Sequence, residues 1–464
     1  MHVIAVGGSD AGISAALRMR ELRPDVAVTV VVADAFPNFS ICGIPYYVSG
    51  DVADWHSLAH RTLADLEATG MQLRLDTLAT AVDTDSRRLH VRAREGHAEA
   101  LAYDELIVGT GAEPVRPTID GLTGSDALGE SEGVHLLHTM GDTFSLMRTL
   151  DEQQPRSAVI VGAGYVGLEM AEALVARDLR VTQIEALPEV LPTVDAELGA
   201  LVRDELSAHG VEVHTSTTVC RIARAPHRST GRLRLEATSG DDRHVTFDAD
   251  VVLVSVGVQP VTGLLANAGA ELGPRGAIAV DTGMRTGLPH VLGAGDCVAT
   301  HHRLLGVTYL PLGTTAHKQG RVAGENAVGG DVRFAGSLGT QVVKVFDAVA
   351  ARTGIRDREA ASAGFRAATT QSSPDDHKAY YPTAHPIAIR VTGDRDTGRL
   401  LGAQLVGRRG TEVSKRIDTF ATAIFNGMSV DGVSELDLSY TPPLGSPWDA
   451  VQVAAQRWAA SHPR

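Results

Sequence analysis

One glycine-rich turn constrains the fold of this 464-residue chain more than any other feature. It lies within residues 159–174, where a β-branched run passes through three glycines into a helical pattern. A strand, a tight turn and a helix in this order present backbone N–H groups to a dinucleotide pyrophosphate. The next predicted strand ends in Glu185, whose carboxylate would bind the adenosine ribose hydroxyls, and no arginine follows to hold a 2′-phosphate. The motif predicts an NADH site formed by Gly162, Gly164, Tyr165, Val166, Gly167 and Glu185.

A less regular copy of the same motif opens the chain. Residues 2–6 form a short apolar strand, and a helical run extends to residue 22. Ser9 stands where the second glycine of the pattern is expected, and Asp34 is the nearest carboxylate after the next predicted strand, 27–32. The dinucleotide contacts predicted for this copy are Gly7, Gly8, Ser9, Gly12 and Asp34.

Three further segments connect the two copies. Residues 106–114 and 252–260 are apolar strands that end in glycine and proline turns, and each closes one nucleotide-binding fold. Residues 291–297 place a carboxylate between a strand and a helix. The candidate nucleotide contacts in these segments are Thr110, Gly111, Gly257 and Asp296.

These motifs, in this order over residues 3–448, resemble the pyridine nucleotide-disulfide oxidoreductases, flavoproteins with two dinucleotide sites. The resemblance implies an α/β fold with two Rossmann-like domains and an α+β C-terminal dimerisation domain. It implies that the first motif binds FAD, that the second binds NADH (with NADPH possible), and that Asp296 hydrogen-bonds the ribityl chain. Residues 310–327, with Leu312 and His317, are similar to the helix that closes the flavin pocket.

The positions of the motifs predict the domain boundaries. Residues 1–115 and 266–330 are expected to form a discontinuous FAD domain, and residues 116–265 the NAD domain with a connecting segment. Residues 331–464 carry no phosphate loop and are expected to dimerise. Within this last part, residues 370–376 are rich in polar residues and predict an exposed loop.

Composition narrows the class of protein. The formal net charge is −14, which disfavours nucleic acid and anionic membranes as partners. The sequence has no run of eighteen apolar residues and opens on a strand, so we expect neither a membrane span nor a signal peptide. Three cysteines do not suggest a disulfide framework, which indicates a reducing, cytoplasmic location. None of the 18 histidines has a metal-site spacing, so no metal is predicted.

The segment NFSICGIPYY, residues 38–47, carries the predicted redox centre. Cys42 precedes a probable helix start marked by Pro45, and a thiol at a helix N-terminus is expected to favour the thiolate. Members of the family with two redox cysteines have them four residues apart, but here that position is Asn38. The resemblance therefore implies a single-cysteine enzyme. Its closest pattern is that of the coenzyme A-disulfide reductases, in which the cysteine forms a mixed disulfide with a small thiol.

Tyrosines in the C-terminal part supply the predicted acid. Residues 440–449 resemble the segment that, in coenzyme A-disulfide reductases, reaches the cysteine of the partner subunit, and residues 377–382 resemble a second tyrosine element. The resemblance implies a homodimer in which Tyr440, with Tyr380 or Tyr381, protonates the departing thiolate. The predicted contacts of the small disulfide substrate are Phe39, Arg20, Arg61 and Arg303.

Two alternative functions stay open at this stage. One is an NADH oxidase or peroxidase that cycles Cys42 through a sulfenic acid. The peroxidases carry a histidine in the first glycine loop, where this chain has Asp10, a residue that could equally cap the helix. The other is a flavoprotein whose NADH-dependent state matters mainly for binding a partner.

Overall fold

A computed structural model describes residues 1–124, 126–227 and 229–463. The N-terminal segment begins with a strand–helix–strand unit and contains a three-stranded antiparallel insertion. Its elements are β1 (His2–Val6), α1 (Asp10–Leu22), β2 (Ala27–Val31), α2 (Ile44–Ser49), α3 (Leu63–Ala68), β3 (Gln72–Arg74), β4 (Thr77–Asp83), β5 (Arg88–Ala93), β6 (Ala98–Ala102), β7 (Glu105–Val108) and β8 (Ala112–Pro114).

The next segment repeats the strand–helix–strand unit and again carries a three-stranded insertion. Its elements are β9 (Val134–Leu136), α4 (Met140–Gln153), β10 (Ser157–Val161), α5 (Tyr165–Val175), β11 (Arg180–Ile184), α6 (Ala196–Ala208), β12 (Glu212–His214), β13 (Thr217–Arg224), β14 (Leu233–Ser239), β15 (His244–Ala249), β16 (Val251–Val254), β17 (Val258–Pro260) and α7 (Gly263–Ala266).

The chain then returns to the first sheet and continues into a C-terminal sheet covered by helices. The elements of this part are β18 (Val291–Gly293), β19 (Thr300–His302), β20 (Gly306–Thr308), α8 (Gly313–Ala327), β21 (Gln341–Val345), β22 (Ala348–Gly354), α9 (Asp357–Ala360), β23 (Ala367–Ser372), β24 (Ala388–Asp394), β25 (Leu400–Arg408), α10 (Val413–Phe425), α11 (Val430–Ser434) and α12 (Ala450–Ser461).

Two parallel sheets organise the nucleotide-binding folds. The first has the order β18-β7-β1-β2-β3 and the second β12-β11-β10-β16-β9. In both, the central strand lies beside the strand that follows it and the order then reverses, which is the Rossmann arrangement that leaves a crevice at the carboxyl ends of the strands. The strands read as β-branched runs because helices cover both faces of such a sheet. The predicted α/β fold with two Rossmann-like units is confirmed.

The two nucleotide folds are connected by a short antiparallel pair. β8 follows β7 of the first sheet, and β17 follows β16 of the second sheet. β8 and β17 pair with each other in antiparallel orientation, with Ala112 opposite Pro260 and Pro114 opposite Val258. The Thr110 hydroxyl donates to the Val261 carbonyl at 2.6 Å, which strengthens the same connection. Both glycine loops are thus held on one rigid support.

Helix α8 packs against α1 at unusually short range because glycines face the contact. A Cβ at Gly320 would lie 2.2 Å from the Ala11 carbonyl oxygen, and one at Gly324 would lie 2.4 Å from that of Ala15. Only glycine permits this approach. As a result, the first turns of the two helices stand side by side above the first sheet.

The C-terminal part is an antiparallel sheet with the order β21-β22-β25-β24-β23, and Phe420 and Trp458 are fully buried in its helical cover. Residues 370–376 are not the exposed loop that their composition suggested. The first three of these residues, up to Ser372, belong to β23 and pair with β24. Asp376 is buried, and its carboxylate accepts hydrogen bonds from the backbone of His385 and from the ring of His377. Over all three described ranges, no helix is both long and apolar enough to cross a lipid bilayer.

Candidate active site

The first glycine loop is shaped by close backbone contacts. Gly7 has a φ of +114°, and a Cβ there would lie 2.0 Å from the Gly109 carbonyl oxygen; a Cβ at Gly12 would lie equally close to the oxygen of Gly7. Ser9 precedes α1 but its side chain caps no backbone N–H. The start of α1 therefore directs N–H groups outward, as a pyrophosphate site requires. Asp34 follows β2 and accepts a hydrogen bond from the backbone N–H of Phe36 at 2.8 Å.

The surroundings of this loop fit a flavin nucleotide. Asn38 is 1% exposed, yet neither polar atom of its amide has a partner, while its backbone N–H donates to Gly8 at 2.6 Å. Such an unpartnered buried amide is costly unless a ligand supplies the hydrogen bonds. Asp296 lies where β18 leads toward α8, and burial, followed by the charge of Asp10, raises the pKa of its carboxyl to about 6. The backbone of Leu312, the residue before α8, hydrogen-bonds this carboxylate.

The second glycine loop is more regular. Gly162 has a φ of +102°, and a Cβ at Gly167 would lie 2.2 Å from the Gly162 carbonyl oxygen, whereas one at Gly164 would meet open space. Glu185 directly follows β11, and its carboxylate accepts hydrogen bonds from the backbone of Ala163 and Leu187 at 2.7 and 2.8 Å. The carboxylate is thus fixed beside the loop.

The remaining residues predicted for the second site lie around that loop. Tyr165 is the first residue of α5 and accepts a hydrogen bond from the Thr193 hydroxyl, and Val166 beside it is exposed. Gly257, with a φ of +108°, turns the chain after β16. The open space at Gly164 and the exposed Val166 leave room for a dinucleotide to approach the start of α5.

Cys42 lies in a short 3₁₀ turn, Ile41–Gly43, directly before α2. Its side chain is exposed, but the protein around it desolvates the thiol. This desolvation raises the pKa of Cys42, and the charges of Glu169, Asp10 and Asp296 raise it further. The expected stabilisation of the thiolate by the helix is therefore wrong for the protein alone, because α2 has only six residues and three carboxylates oppose it.

Glu169 is a site residue that the sequence analysis missed. It lies on α5, one turn after Tyr165, and accepts a hydrogen bond from the Tyr46 hydroxyl at 3.3 Å. Burial is the main reason that the pKa of this carboxyl is raised to about 7. The sequence does show that Glu169 is four residues after Tyr165 and therefore shares a face of the same helix. This spacing points to the site only when it is known that α5 packs against α2.

Asp10, His60 and His317 form a second unforeseen group. Asp10 is the first residue of α1, and its carboxylate does not cap that helix but lies 3.3 Å from His317 Nε2. Ser14 holds the other ring nitrogen of His317 at 2.8 Å, and the His60 ring centre is 6.2 Å from that of His317. The sequence analysis predicted no metal because no histidine spacing suggests one, and the structure shows this cluster of three potential ligands. Spacing could not reveal it, because its members come from three distant segments.

The predicted acid residues lie on the surface of the C-terminal part. Tyr380 is 73% exposed and Tyr440 44% exposed. Desolvation and a hydrogen bond with Tyr380 raise the pKa of Tyr440, so the structure brings these two phenols together. Tyr381 is also exposed and packs edge-on against the ring of His377. Exposed Leu444 and Trp448 extend the same segment as Tyr440.

The predicted substrate contacts are only partly supported by their surroundings. Arg20 donates to the backbone carbonyls of Thr69, Pro24 and Val26, and Arg303 donates to those of Ala335 and Phe425; their guanidinium groups therefore have structural roles. Phe39 stacks on Trp55 at a centroid distance of 5.5 Å within an aromatic cluster. Arg61 is exposed beside His60, and no hydrogen bond described in the structure assigns its guanidinium group a structural role.

Comparison with known families identifies both parts of the chain. Residues 1–320 match the model of the pyridine nucleotide-disulphide oxidoreductases, and residues 340–450 match the dimerisation domain of the same family. The chain is 32% identical over 458 residues, 98% of each chain, to the CoA-dependent NAD(P)H sulfur oxidoreductase of Pyrococcus furiosus. It is 29% identical over 460 residues, again 98% of each chain, to an NADH oxidase of Methanocaldococcus jannaschii.

A solved structure has the same architecture. The chain superimposes on an NAD-dependent persulfide reductase from A. fulgidus with a TM-score of 0.91 and 35% sequence identity. The match covers 99% of this chain and 83% of that one. The similarity thus extends over both nucleotide folds and the C-terminal sheet.

Proposed function

Because the chain belongs to the pyridine nucleotide-disulphide oxidoreductase family, we propose that it is an FAD-dependent NAD(P)H oxidoreductase that reduces a low-molecular-weight disulfide, such as coenzyme A disulfide, through Cys42. The CoA-dependent P. furiosus relative and the persulfide reductase support a small sulfur substrate. All three cysteines of the chain are unpaired, which is consistent with a reducing, cytoplasmic compartment.

One observation carries this proposal: Cys42 is an exposed, unpaired thiol with carboxylates of both folds acting on it, and neither of the other two cysteines is placed to close a disulfide with it. Cys220 is on β13, and its thiol donates to the Glu236 carbonyl. Cys297 is completely buried behind Asp296. We therefore assign a small thiol from solution as the partner that oxidised Cys42 binds.

The thiol chemistry follows from this arrangement. The Cys42 thiolate attacks one sulfur of R–S–S–R, so the Cys42–S–S–R bond forms and the substrate S–S bond breaks. The departing thiolate takes a proton and leaves as R–SH. Two electrons and one proton then cleave the mixed disulfide, which returns the Cys42 thiolate and releases a second R–SH. NADH is oxidised to NAD⁺ in the same cycle, so electrons and atoms balance.

FAD, when bound, carries the two electrons from NADH to the mixed disulfide. The residues that would hold it are those around the first loop, namely Gly7, Gly8, Ser9, Gly12, Asp34, Asn38, Thr110, Gly111, Asp296 and Leu312. The second loop would hold the nicotinamide nucleotide, with Glu185 fixed near its edge. The Glu169 carboxyl, which accepts a hydrogen bond from Tyr46, is a titratable group whose charge acts on Cys42, where a proton must enter and leave.

The dimerisation-domain match supports a homodimer as the working unit. We place the acid of the reaction on Tyr440 of the partner subunit, adjacent to the partner's Tyr380. The exposed phenol pair and the apolar Leu444 and Trp448 favour this arrangement, since such side chains are typical of an interface core. A phenol keeps its proton at neutral pH and can donate it to a departing thiolate.

An NADH oxidase is the second candidate, and the M. jannaschii relative favours it. A lone cysteine can also cycle through a sulfenic acid when oxygen or peroxide is the acceptor. His317 lies beside Asp10 near Cys42, so a histidine is available there despite the carboxylate at position 10. The two candidates differ in the acceptor, not in the cofactors.

The test measures NADH oxidation by the flavin-loaded protein with coenzyme A disulfide, with oxygen and with peroxide. We expect the disulfide to be preferred and Cys42→Ser to reduce its turnover by at least about a hundredfold, with bound flavin still reducible by NADH. Cys220→Ser is the matched control and should behave like the wild type. Peroxide consumption that outpaces disulfide reduction would replace the proposal by the second candidate.

A further inference from the structure

Three potential metal ligands converge near the starts of α1 and α8. They are the Asp10 carboxylate, the His60 ring in the loop before α3, and the His317 ring in the second turn of α8. One ligand atom from each lies within 4.8 Å of the other two. His317 Nε2 lies 3.3 Å from Asp10 Oδ1.

The backbone holds these side chains together independently of their contacts with one another. The close packing of α1 on α8 through Gly320 and Gly324 fixes Asp10 beside His317. The His60 backbone N–H donates to the Asn38 carbonyl at 2.9 Å, which ties its loop to the segment before Cys42. A cluster that the fold itself assembles needs no large rearrangement to receive an ion.

The surroundings of His317 and Asp10 suit a bound cation. Ser14 Oγ lies 2.8 Å from His317 Nδ1, which leaves Nε2 for a ligand, and metal-binding histidines commonly have their second nitrogen held in this way. In the part of the chain that the structure describes, the ion pairs of Asp10 include no lysine or arginine, only His317. The Asp10 carboxylate is partly desolvated, and the two imidazole rings beside it provide nitrogen ligands.

We propose that Asp10, His60 and His317 bind one divalent transition-metal ion, with Zn²⁺ as the best match, beside the active-site cleft. Two imidazole nitrogens and one carboxylate oxygen suit Zn²⁺ and its neighbours, whereas Mg²⁺ and Ca²⁺ prefer oxygen ligands. Three protein ligands leave a position for water or a small anion. The exposed His60 side provides the route of entry. This site does not depend on the identity of the disulfide substrate.

Calorimetric titration of the chelator-treated, flavin-loaded protein with Zn²⁺ tests the site. We expect one Zn²⁺ per chain and no comparable binding of Mg²⁺. His60→Gln and His317→Gln should each weaken Zn²⁺ binding about ten- to a hundredfold, while His56→Gln, which alters an exposed histidine of the same loop, should leave it unchanged. His60→Gln lies outside the helix contact, and unchanged flavin absorbance will confirm that it folds.

Cysteine thiols are the competing ligands, so a second measurement separates them. Cys42→Ser should bind Zn²⁺ as the wild type does, and X-ray absorption at the zinc edge should show only nitrogen and oxygen ligands at about 2.0–2.2 Å. Sulfur at about 2.3 Å, loss of binding in Cys42→Ser, or unchanged affinity in both histidine variants would overturn the proposal. Equal binding of Mg²⁺ would overturn it too, because it would indicate an unselective carboxylate.

Discussion

The two dinucleotide folds share a strand order and a glycine turn but differ in the state of their carboxylates. In the second fold, Glu185 is buried and accepts two backbone hydrogen bonds, so its charge is compensated within its own loop. In the first fold, Asp10 and Asp296 are desolvated close to each other and the pKa of each is raised. The second fold thus satisfies its carboxylate by hydrogen bonds, whereas the first places two carboxyl groups with raised pKa where their charges act on Cys42.

This contrast shows where departures from a motif carry meaning. Ser9 interrupts the glycine pattern of the first loop, Asp10 follows it, and Asn38 nearby has an unpartnered buried amide. Natural sequences break local rules mainly where function requires it. The unusual residues of the first loop thus indicate that the reaction takes place beside the first fold. The difference between the two folds can be tested by changing matched residues in each.

The largest effect is expected from adding one carbon to the first loop. In Gly12→Ala the new Cβ would lie 2.0 Å from the Gly7 carbonyl oxygen, and backbone cannot yield as a side chain can. We expect a loss of about 1–3 kcal/mol in the free energy of unfolding, little retained flavin and at least a hundredfold loss of disulfide reduction. Flavin absorbance per chain after gel filtration provides the measurement.

Gly167→Ala is the matched change in the second loop, where the new Cβ would lie 2.2 Å from the Gly162 oxygen. This variant should keep its flavin, while its KM for NADH rises about tenfold or more. If Gly12→Ala retains flavin, or if Gly167→Ala loses it, the proposed assignment of the two loops is wrong.

The next effect concerns the choice of nicotinamide nucleotide. A 2′-phosphate near the Glu185 carboxylate would be repelled, so NADH should exceed NADPH in kcat/KM by about ten- to a hundredfold. Glu185→Gln removes the charge, retains one acceptor oxygen for the loop and should reduce that ratio. Steady-state kinetics with both nucleotides measure it. Equal efficiency of the wild type with NADPH would show that another cation compensates for Glu185.

These two predictions rest on features that the sequence alone could supply. The glycine spacing is dictated in part by local sterics, since Gly12 and Gly167 each contact the backbone of the glycine five residues earlier. Glu185 directly follows a strand of the same unit. The fold was therefore predictable from motifs that are complete within about thirty residues.

The surroundings of Cys42 could not be predicted in this way. The carboxylates that raise its pKa come from three distant segments, through Asp10, Glu169 and Asp296. Their charges act through space, and no spacing in the sequence encodes their distance from the thiol. Arg20 illustrates the converse, because only the structure shows that backbone carbonyls occupy its guanidinium group.

A smaller change in activity is expected when two inactive variants exchange subunits that share active sites. Cys42→Ser and Tyr440→Phe each damage one component, but a mixed dimer would contain one intact site and one doubly damaged site. Random exchange of equal amounts makes half of the dimers mixed, so activity should recover to about a quarter of the wild-type value. Mass spectrometry must first demonstrate exchange. Activity that never exceeds the mean of the two parents would place Tyr440 within its own chain or outside the reaction.

The smallest effect concerns Glu169, whose carboxyl has a pKa of about 7 against 4.5 in the unfolded chain. Between these values the folded protein binds the extra proton, so its stability falls as the pH rises through this interval, by up to about 3 kcal/mol. Glu169→Gln removes the titrating group and keeps a partner for the Tyr46 hydroxyl. Its melting temperature should accordingly depend less on pH than that of the wild type between about pH 5 and pH 8.

Glu152→Gln is the control for this change, because Glu152 is exposed on α4 and its replacement leaves the buried carboxyl in place. The quantity that matters is the difference between variant and wild type, since other groups also titrate over this range. If Glu169→Gln and the wild type lose melting temperature in parallel as the pH rises, the carboxyl is already ionised near pH 5. The prediction would then fail, and α5, a helix of the second fold, would not share the raised carboxyl pKa found for Asp10 and Asp296 in the first fold.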